Sequence, residues 1–418
     1  MTSSSSSSSP KKILLAFDGS LNNLRHWLPK HEPEIFVDKT ITNILKLHFL
    51  AGGDIDNKRN DVPGQICLYH RGCGGISSNG FVRLFNLARG NLKQQTVPMR
   101  KMLESVYEKG DKIYIIGFSR GASSARKIVT ELQSDGLLTA SGDKVEAPPI
   151  EFLGCFDTVS MQLSPRFLRF NLKTHLLNRI TRSRILGEKG GALPSIVKKA
   201  VHLIALDDNR FRLGFSPVYM DSADDRVHEI WVAGEHGDCG GQYFRKGMPD
   251  CSCKCMQEFL EEAGITFLSN EDIDTECLKL DDDPGIQIDK KFLDIAPDPC
   301  DKIHTLPLES YRPVATVTNE KIIPGGTVRI HVSVLQHMEA MEKLGTPYKF
   351  NPGLNETELV VVGPLDKPLE AETKRFKELL GVRQSRLLRQ EPNWIAVFVV
   401  ILISSFVFFV FDAPKKLF

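Results

Sequence analysis

Short apolar runs recur along the first two thirds of the chain, and most of them stop at turn-forming residues. Ile13 to Phe17 ends in Asp18-Gly19-Ser20. Gln65 to His70 runs into Arg71-Gly72-Cys73-Gly74-Gly75, and Asp111 to Ile116 into Gly117. Ile150 to Phe156 ends at Asp157, Val201 to Leu206 at Asp207-Asp208, and Val227 to Ala233 at Gly234-Glu235-His236. Runs this short, rich in β-branched and aromatic residues, read as strands. Thr327 to Val334 reads as a last strand, with His331 inside it. Between the strands lie stretches with helical spacing: Asn43 to Leu50, Val97 to Glu108, and the run from Ala122 to Leu132. Alternation of this kind predicts an α/β fold, a mostly parallel sheet with helices on both faces.

The pattern changes towards the C-terminus. Residues 270–300 are acidic, carry Pro284, Pro297 and Pro299, and read as a surface excursion. Pro347 to Pro368 is rich in Pro, Gly and Asn and reads as the close of the domain, and Glu370 to Leu388 reads as a helix. The expected organisation is a Ser-rich disordered leader over 1–12, a catalytic domain over 13–345, a linker and juxtamembrane helix over 346–393, a transmembrane helix over 394–411 and a short tail over 412–418. Trp394 to Phe411 is apolar on every face and free of charge. At about 1.5 Å per residue it spans roughly 27 Å, close to a hydrocarbon core of about 30 Å. Lys374, Arg375, Lys377, Arg383, Arg386 and Arg389 precede it, and only Lys415 and Lys416 follow. By the positive-inside bias the domain side is cytosolic. The two tail lysines also fit an endoplasmic reticulum retrieval signal, which is read from the cytosol and so conflicts with that topology. The charge bias is the stronger argument, and it makes the lysines interface anchors.

Bulk properties narrow the field further. The chain has 418 residues and a formal net charge of +1, which advertises no nucleic-acid partner. Nine cysteines at irregular spacing, after an N-terminus without an apolar export core, fit a reducing compartment. Cys251-Ser252-Cys253-Lys254-Cys255, with Cys239 nearby, does not have the paired spacing of a structural zinc site. Palmitoylation or plain surface thiols remain open there, and neither a metal nor a cofactor is expected. Met161 to Gly187 has six basic residues (Arg166, Arg169, Lys173, Arg179, Arg182, Arg184) and no acid. Leu168, Leu172, Leu176 and Ile180 make one apolar stripe through it. Residues 161–190 are therefore either a basic amphipathic cap, with Arg166, Arg169, Lys173 and Arg179 against an anionic membrane, or a helix packed on the sheet.

Gly117-Phe118-Ser119-Arg120-Gly121 is the motif with chemistry in it. A G-x-S-x-G between a strand and a helix is the nucleophile elbow of α/β-hydrolases, in which a strained corner exposes the serine hydroxyl. Gly117 and Gly121 let neighbouring backbone approach closely. A serine needs a histidine to take its proton and a carboxylate to orient that histidine, in the chain order Ser, acid, His. Asp157 is the preferred acid, with Asp207 and Asp208 as rivals at the end of another strand. His236 is the preferred base, because it lies in a glycine-rich loop after a strand. His202, His228 and His331 fall inside predicted strands and read as structural. The oxyanion hole needs two backbone N–H groups. Arg120 should supply one and Gly19 the other, with Asp18 either fixing that loop or forming an ordinary Asp-Gly turn.

At four places the chain resembles the α/β-hydrolase domain family typified by bacterial type VI secretion phospholipase effectors. These are Phe17-Asp18-Gly19, Gly117-Phe118-Ser119-Arg120-Gly121-Ala122 with Ala125-Arg126, Phe156-Asp157-Thr158-Val159, and His236-Gly237-Asp238-Cys239-Gly240-Gly241. His202 to Arg210 and His331-Val332-Ser333-Val334 are secondary matches. The family usually has Thr where Ser20 stands, and Ser-Asp-Val-Gly-Gly-Gly where this chain has Gly237 to Gln242. The resemblance implies a triad of Ser119, Asp157 and His236, with Asp238 and His331 as supporting residues. It also implies hydrolysis of a lipid ester, most of all a phospholipid acyl bond. The expected function is thus a membrane-anchored serine esterase acting on lipid. The alternatives are an acyl hydrolase or thioesterase with a soluble substrate, and a scaffold that keeps the fold without the chemistry.

Overall fold

The computed structural model describes residues 9–19, 40–72, 92–159, 186, 188, 191–210, 217–280, 283–304, 311–318, 321–324 and 326–387. Eight of the strands in these residues form one sheet. They are β1 (Lys12–Phe17), β2 (Gln65–His70), β3 (Lys112–Phe118), β4 (Ile150–Phe156), β5 (Ala200–Ala205), β6 (Val227–Val232), β7 (Val328–His331) and β8 (Leu359–Val362). Their spatial order is β8-β7-β6-β5-β4-β3-β1-β2 and every pairing is parallel.

Successive side chains of a strand point to opposite faces, and both faces of this sheet are covered. Leu14, Ala16, Tyr114 and Ile116 pack under helices α1 (Asn43–Leu50) and α5 (Gly247–Ala263). Ile13, Leu15, Phe17, Ile113 and Ile115 pack under α2 (Lys93–Val106) and α3 (Arg120–Asp135). That two-sided burial is why the central strands read as nearly continuous apolar runs. Helix α1 is buried along its whole length, so its polar residues need partners. Lys46 pairs with the carboxylate of Asp250 on α5, and His48 Nε2 lies 2.8 Å from the Asp54 carbonyl.

Register brings the carboxyl ends of the central strands level. Phe17 stands opposite Gly117, and Phe118 opposite Phe156. The chain order reverses at β1, flanked by β2 on one side and β3 on the other. In open parallel sheets such a switch point is where the carboxyl-end loops gather around a crevice. The residues after β1, β3, β4, β5 and β6 therefore converge on one rim.

Several expectations from the sequence need correction. The run Thr327 to Val334 is a strand only to His331, and Val332–Lys343 is helix α6. Its β-branched residues imitate strand patterning across a boundary where His331 caps Ser333. The domain does not close at residue 345: Leu359–Val362 is the edge strand β8, and the first of the chain's two compact units extends to Glu372. Residues 270–300 lie at the surface only in part, since Ile273, Cys277, Leu278, Ile288, Phe292 and Leu293 are buried. Cys251, Cys253 and Cys255 are buried on α5, which removes them as surface thiols or lipidation sites. Among the described residues no helix is long and apolar enough to cross a membrane. Trp394 to Phe411 lies outside those residues, as do Arg166, Arg169, Lys173 and Arg179 of the expected cap.

Candidate active site

Ser119 follows β3 directly with φ 59° and ψ −123°. That left-handed backbone is costly for a residue with a Cβ, and it persists only where the surroundings enforce it. Here they do. A Cβ at Gly121 would lie 2.3 Å from the Phe17 carbonyl oxygen, and one at Gly117 would lie 2.7 Å from the Ala122 backbone. Gly121 lets α3 start against the end of β1, and Gly117 lets the corner fold back onto the first turn of α3. The Ser119 N–H donates to Phe156 O at 3.0 Å, which ties the corner to β4.

Asp157, the residue after β4, is also left-handed (φ 42°) and fully buried. Its N–H donates to Leu203 O at 2.7 Å and its Oδ1 accepts from Ala205 N–H at 3.1 Å. His236 Nδ1 lies 2.5 Å from Asp157 Oδ2, and His236 Nε2 lies 2.8 Å from Ser119 Oγ. A carboxylate only accepts, so Nδ1 carries the ring proton and Nε2 is left to accept from the serine hydroxyl. These three residues, 117 and 79 positions from His236 in sequence, form one continuous chain of hydrogen bonds. The rival acids make other hydrogen bonds. Asp207 accepts from Gly234 N–H at 2.7 Å and from the Tyr348 hydroxyl. Asp208 accepts from Arg210 Nη2 at 2.8 Å and from Arg312 Nη2 at 2.5 Å.

His236 does not sit in an open loop. It is the first residue of a short helix, α4 (His236–Gly240). The Glu235 side chain accepts from Gly237 N–H at 2.7 Å, and Asp238 Oδ2 accepts from Glu235 N–H at 3.0 Å. This reciprocal cap fixes the helix start and with it the imidazole. Asp238 is held in turn by His304, whose Nδ1 is 2.8 Å from Oδ1. The imidazole packs on the Phe118 ring, centroids 4.7 Å apart, and Gly240 leaves that ring its space. The glycines serve close packing against neighbouring segments.

Sequence reasoning missed Arg312. Its guanidinium grips both oxygens of Asp157, Nη1 on Oδ1 and Nη2 on Oδ2 at 3.1 Å, while bonding Asp208. Burial alone would raise the Asp157 carboxyl. The Arg312 charge and the His236 hydrogen bond outweigh burial and hold it well below the usual carboxylate range. Asp208 is likewise lowered against its burial by Arg312 and Arg210. Asp157, Asp208 and His236 come close enough together to suggest a cation site, with ligand atoms within 4.8 Å. Arg312 already supplies the positive charge those carboxylates need, so the donor set suits a guanidinium and not a metal ion. No local signal marks Arg312, which lies 155 positions from Asp157.

Arg120 opens α3 immediately after the serine. Gly19 does not offer its N–H to a ligand: it donates to Asp18 Oδ1 at 2.6 Å. Asp18 is thus a loop-fixing residue, also bonded by the Tyr69 hydroxyl at 2.6 Å. His331 caps its own helix, with Nδ1 2.8 Å from Ser333 Oγ, and burial pulls its imidazole down to about 4. Among the described residues no hydrogen bond links it to the central three. His202 is structural: its Nε2 accepts from Thr158 N–H at 3.1 Å and its Nδ1 meets Glu229 at 2.8 Å.

The family model for the type VI secretion phospholipase effector Tle1-like catalytic domain matches residues 11–147 and 140–259. An uncharacterised protein of Saccharomyces cerevisiae is 33% identical over 149 residues, 32% of this chain and 19% of its own length. An uncharacterised Pseudomonas aeruginosa protein of known structure superposes with a TM-score of 0.39 at 19% identity, covering 68% of this chain and 50% of the other. The Tle1 effector solved on the VgrG spike of the type 6 secretion system gives 0.32 at 21% identity, covering 56% and 51%. The chain spans about half the length of these two solved proteins.

Proposed function

From a chain that belongs to the Tle1-like phospholipase effector catalytic-domain family, we propose a serine hydrolase that cleaves carboxylic esters of lipids, phospholipids first among them. The observation that carries this reading is the relay from Asp157 through His236 to Ser119, with contacts of 2.5 and 2.8 Å. In the proposed reaction Ser119 Oγ attacks the ester carbonyl carbon while His236 Nε2 takes the hydroxyl proton. Asp157 steadies the imidazolium that forms. The oxyanion is met by the Arg120 backbone N–H, which follows the nucleophile at the start of α3. Collapse breaks the ester C–O bond, and the leaving alcohol takes the proton from His236. Water then attacks the acyl-enzyme by the same route in reverse and releases the fatty acid.

Attachment to a membrane belongs to the same proposal. The apolar run Trp394 to Phe411 and its basic upstream flank support a C-terminal anchor with the catalytic domain on the cytosolic side. Fatty-acid release from phospholipid vesicles, compared between the native chain and Ser119→Ala, tests the activity. Release by the native chain alone supports it. Equal release by both would remove it, and turnover of soluble thioesters without lipid would replace it with a thioesterase.

A further inference from the structure

Arg312 is fully buried beside two carboxylates, and nothing in the proposed reaction uses it directly. It comes from beyond residue 259, where the match to the family model ends. Its placement is built by the C-terminal part of the fold. Arg312 N–H donates to Asp208 O at 3.2 Å, and Asn351 Nδ2 donates to Arg312 O at 2.7 Å. Asn351 Nδ2 also reaches Leu206 O at 3.0 Å, and the Tyr219 hydroxyl donates to Pro313 O at 2.9 Å. The backbone on either side of the guanidinium is therefore pinned to the loops after β5 and to the segment leading to β8.

We propose that Arg312 is a positioning residue of the active site. Clamped between Asp157 and Asp208, it fixes the Asp157 rotamer that presents Oδ2 to His236 Nδ1. It also places a positive charge on the carboxylate oxygen that meets the imidazole. This rests on the serine hydrolase reading above. The geometry favours it over a simple structural pair. One guanidinium nitrogen, Nη2, touches the same oxygen that meets the imidazole, at 3.1 Å. A charge placed there acts on the imidazole through a single shared atom in a water-excluded site, where it is screened weakly. The other groups around the pair are Arg210 and Glu235, 3.5 Å apart, with Cys239 on α4 and Tyr219. Arg210 bonds Asp208 at 2.8 Å and lies 3.5 Å from Glu235, so among the described residues Arg312 is the guanidinium in contact with Asp157.

The test is the pH dependence of fluorophosphonate labelling in the full chain, with the His236 imidazole nitrogen resonances followed over the same pH range. Arg312→Met should lower labelling at neutral pH by roughly 100-fold. It should also move the acid limb and the imidazole midpoint up by about one unit. Arg312→Lys restores the charge without the fork, so it should return the limb most of the way while recovering only part of the rate. Asp208→Asn removes a competing anion and should move the limb the opposite way, to lower pH. Should Arg312→Met fail to fold, the Lys and Asn variants carry the decision by the same readouts. Rates that fall with the limb and the imidazole midpoint unmoved in every variant would overturn the proposal and leave Arg312 a structural ion pair. A native chain that takes no label, yet shows the imidazole midpoint shifts, would sink the hydrolase reading while the Arg312 coupling stands.

Discussion

At the scale of single residues the account turns on strain held in place. Ser119 and Asp157 are both left-handed without being glycine, and each sits where a strand ends in the middle of the sheet. Strain of that kind costs on the order of 1–3 kcal/mol per residue and needs rigid neighbours to maintain it. The neighbour with least tolerance is Gly121, whose added Cβ would overlap backbone of β1 and not a movable side chain. Gly121→Ala should therefore destabilise the fold by about 3 kcal/mol or more, read as a lower denaturant midpoint. Asp157→Asn is a different kind of change. It keeps the shape but gives up the charge that holds the imidazole tautomer and faces Arg312. A fall in turnover of roughly 10⁴-fold with little change in KM is expected. A loss confined to KM would contradict the orienting role. The proposed nucleophile and its proposed acid were legible in the sequence as candidates because each is announced by its own strand and turn. Arg312 was not, since its only signal is spatial proximity to residues far away in the chain.

At the scale of elements, the rim is shaped by what the strands leave at their carboxyl ends. The loop after β5 shows how. Its two aspartates divide the work, Asp208 going to the arginines and Asp207 turning inward to Gly234, Tyr348 and Asn351. Burial pushes Asp207 up to about 7, against the hydrogen bonds it accepts. In the unfolded chain its carboxyl titrates near 4. The unfolded state therefore releases this proton first as pH rises. The stability that Asp207 contributes is full below about 4 and is lost as pH climbs towards 7. Thermal melting between pH 4 and pH 7 should show that decline, and Asp207→Asn should flatten it; an unchanged slope would mean that another group sets it. Sequence reasoning misjudged elements where apolar patterning crossed a boundary. Val332 and Val334 continue the alternation of β7 yet belong to α6, because a cap residue decides the matter and hydropathy does not record it. Likewise Gly237, Gly240 and Gly241 read as part of a loop where a short helix, α4, begins, though the close approach they permit is there, with Tyr243, Phe118 and Asn43 packed against them.

At the scale of the whole molecule, the rim of the candidate site is finished by chain that follows the family match. Tyr348 and Asn351 hold Asp207, Arg312 holds Asp157, and β8 closes the sheet edge beside β7. The Pro-, Gly- and Asn-rich composition of that stretch hid this, because four residues, Leu359 to Val362, are too short a run to stand out as a strand. A protein ending at residue 304 should accordingly be insoluble or unlabelled by a serine-directed probe. One ending at residue 387 should fold and label as the full chain does, while leaving the membrane fraction. If the shorter protein labelled normally, the C-terminal part would have no role in the site. The measurement that bears most directly on the central claim is mass mapping of a fluorophosphonate adduct on the intact protein. The account predicts a single adduct on the peptide carrying Ser119, absent from Ser119→Ala and strongly slowed in His236→Ala. An adduct on any other serine, or equal labelling of the His236→Ala protein, would contradict it.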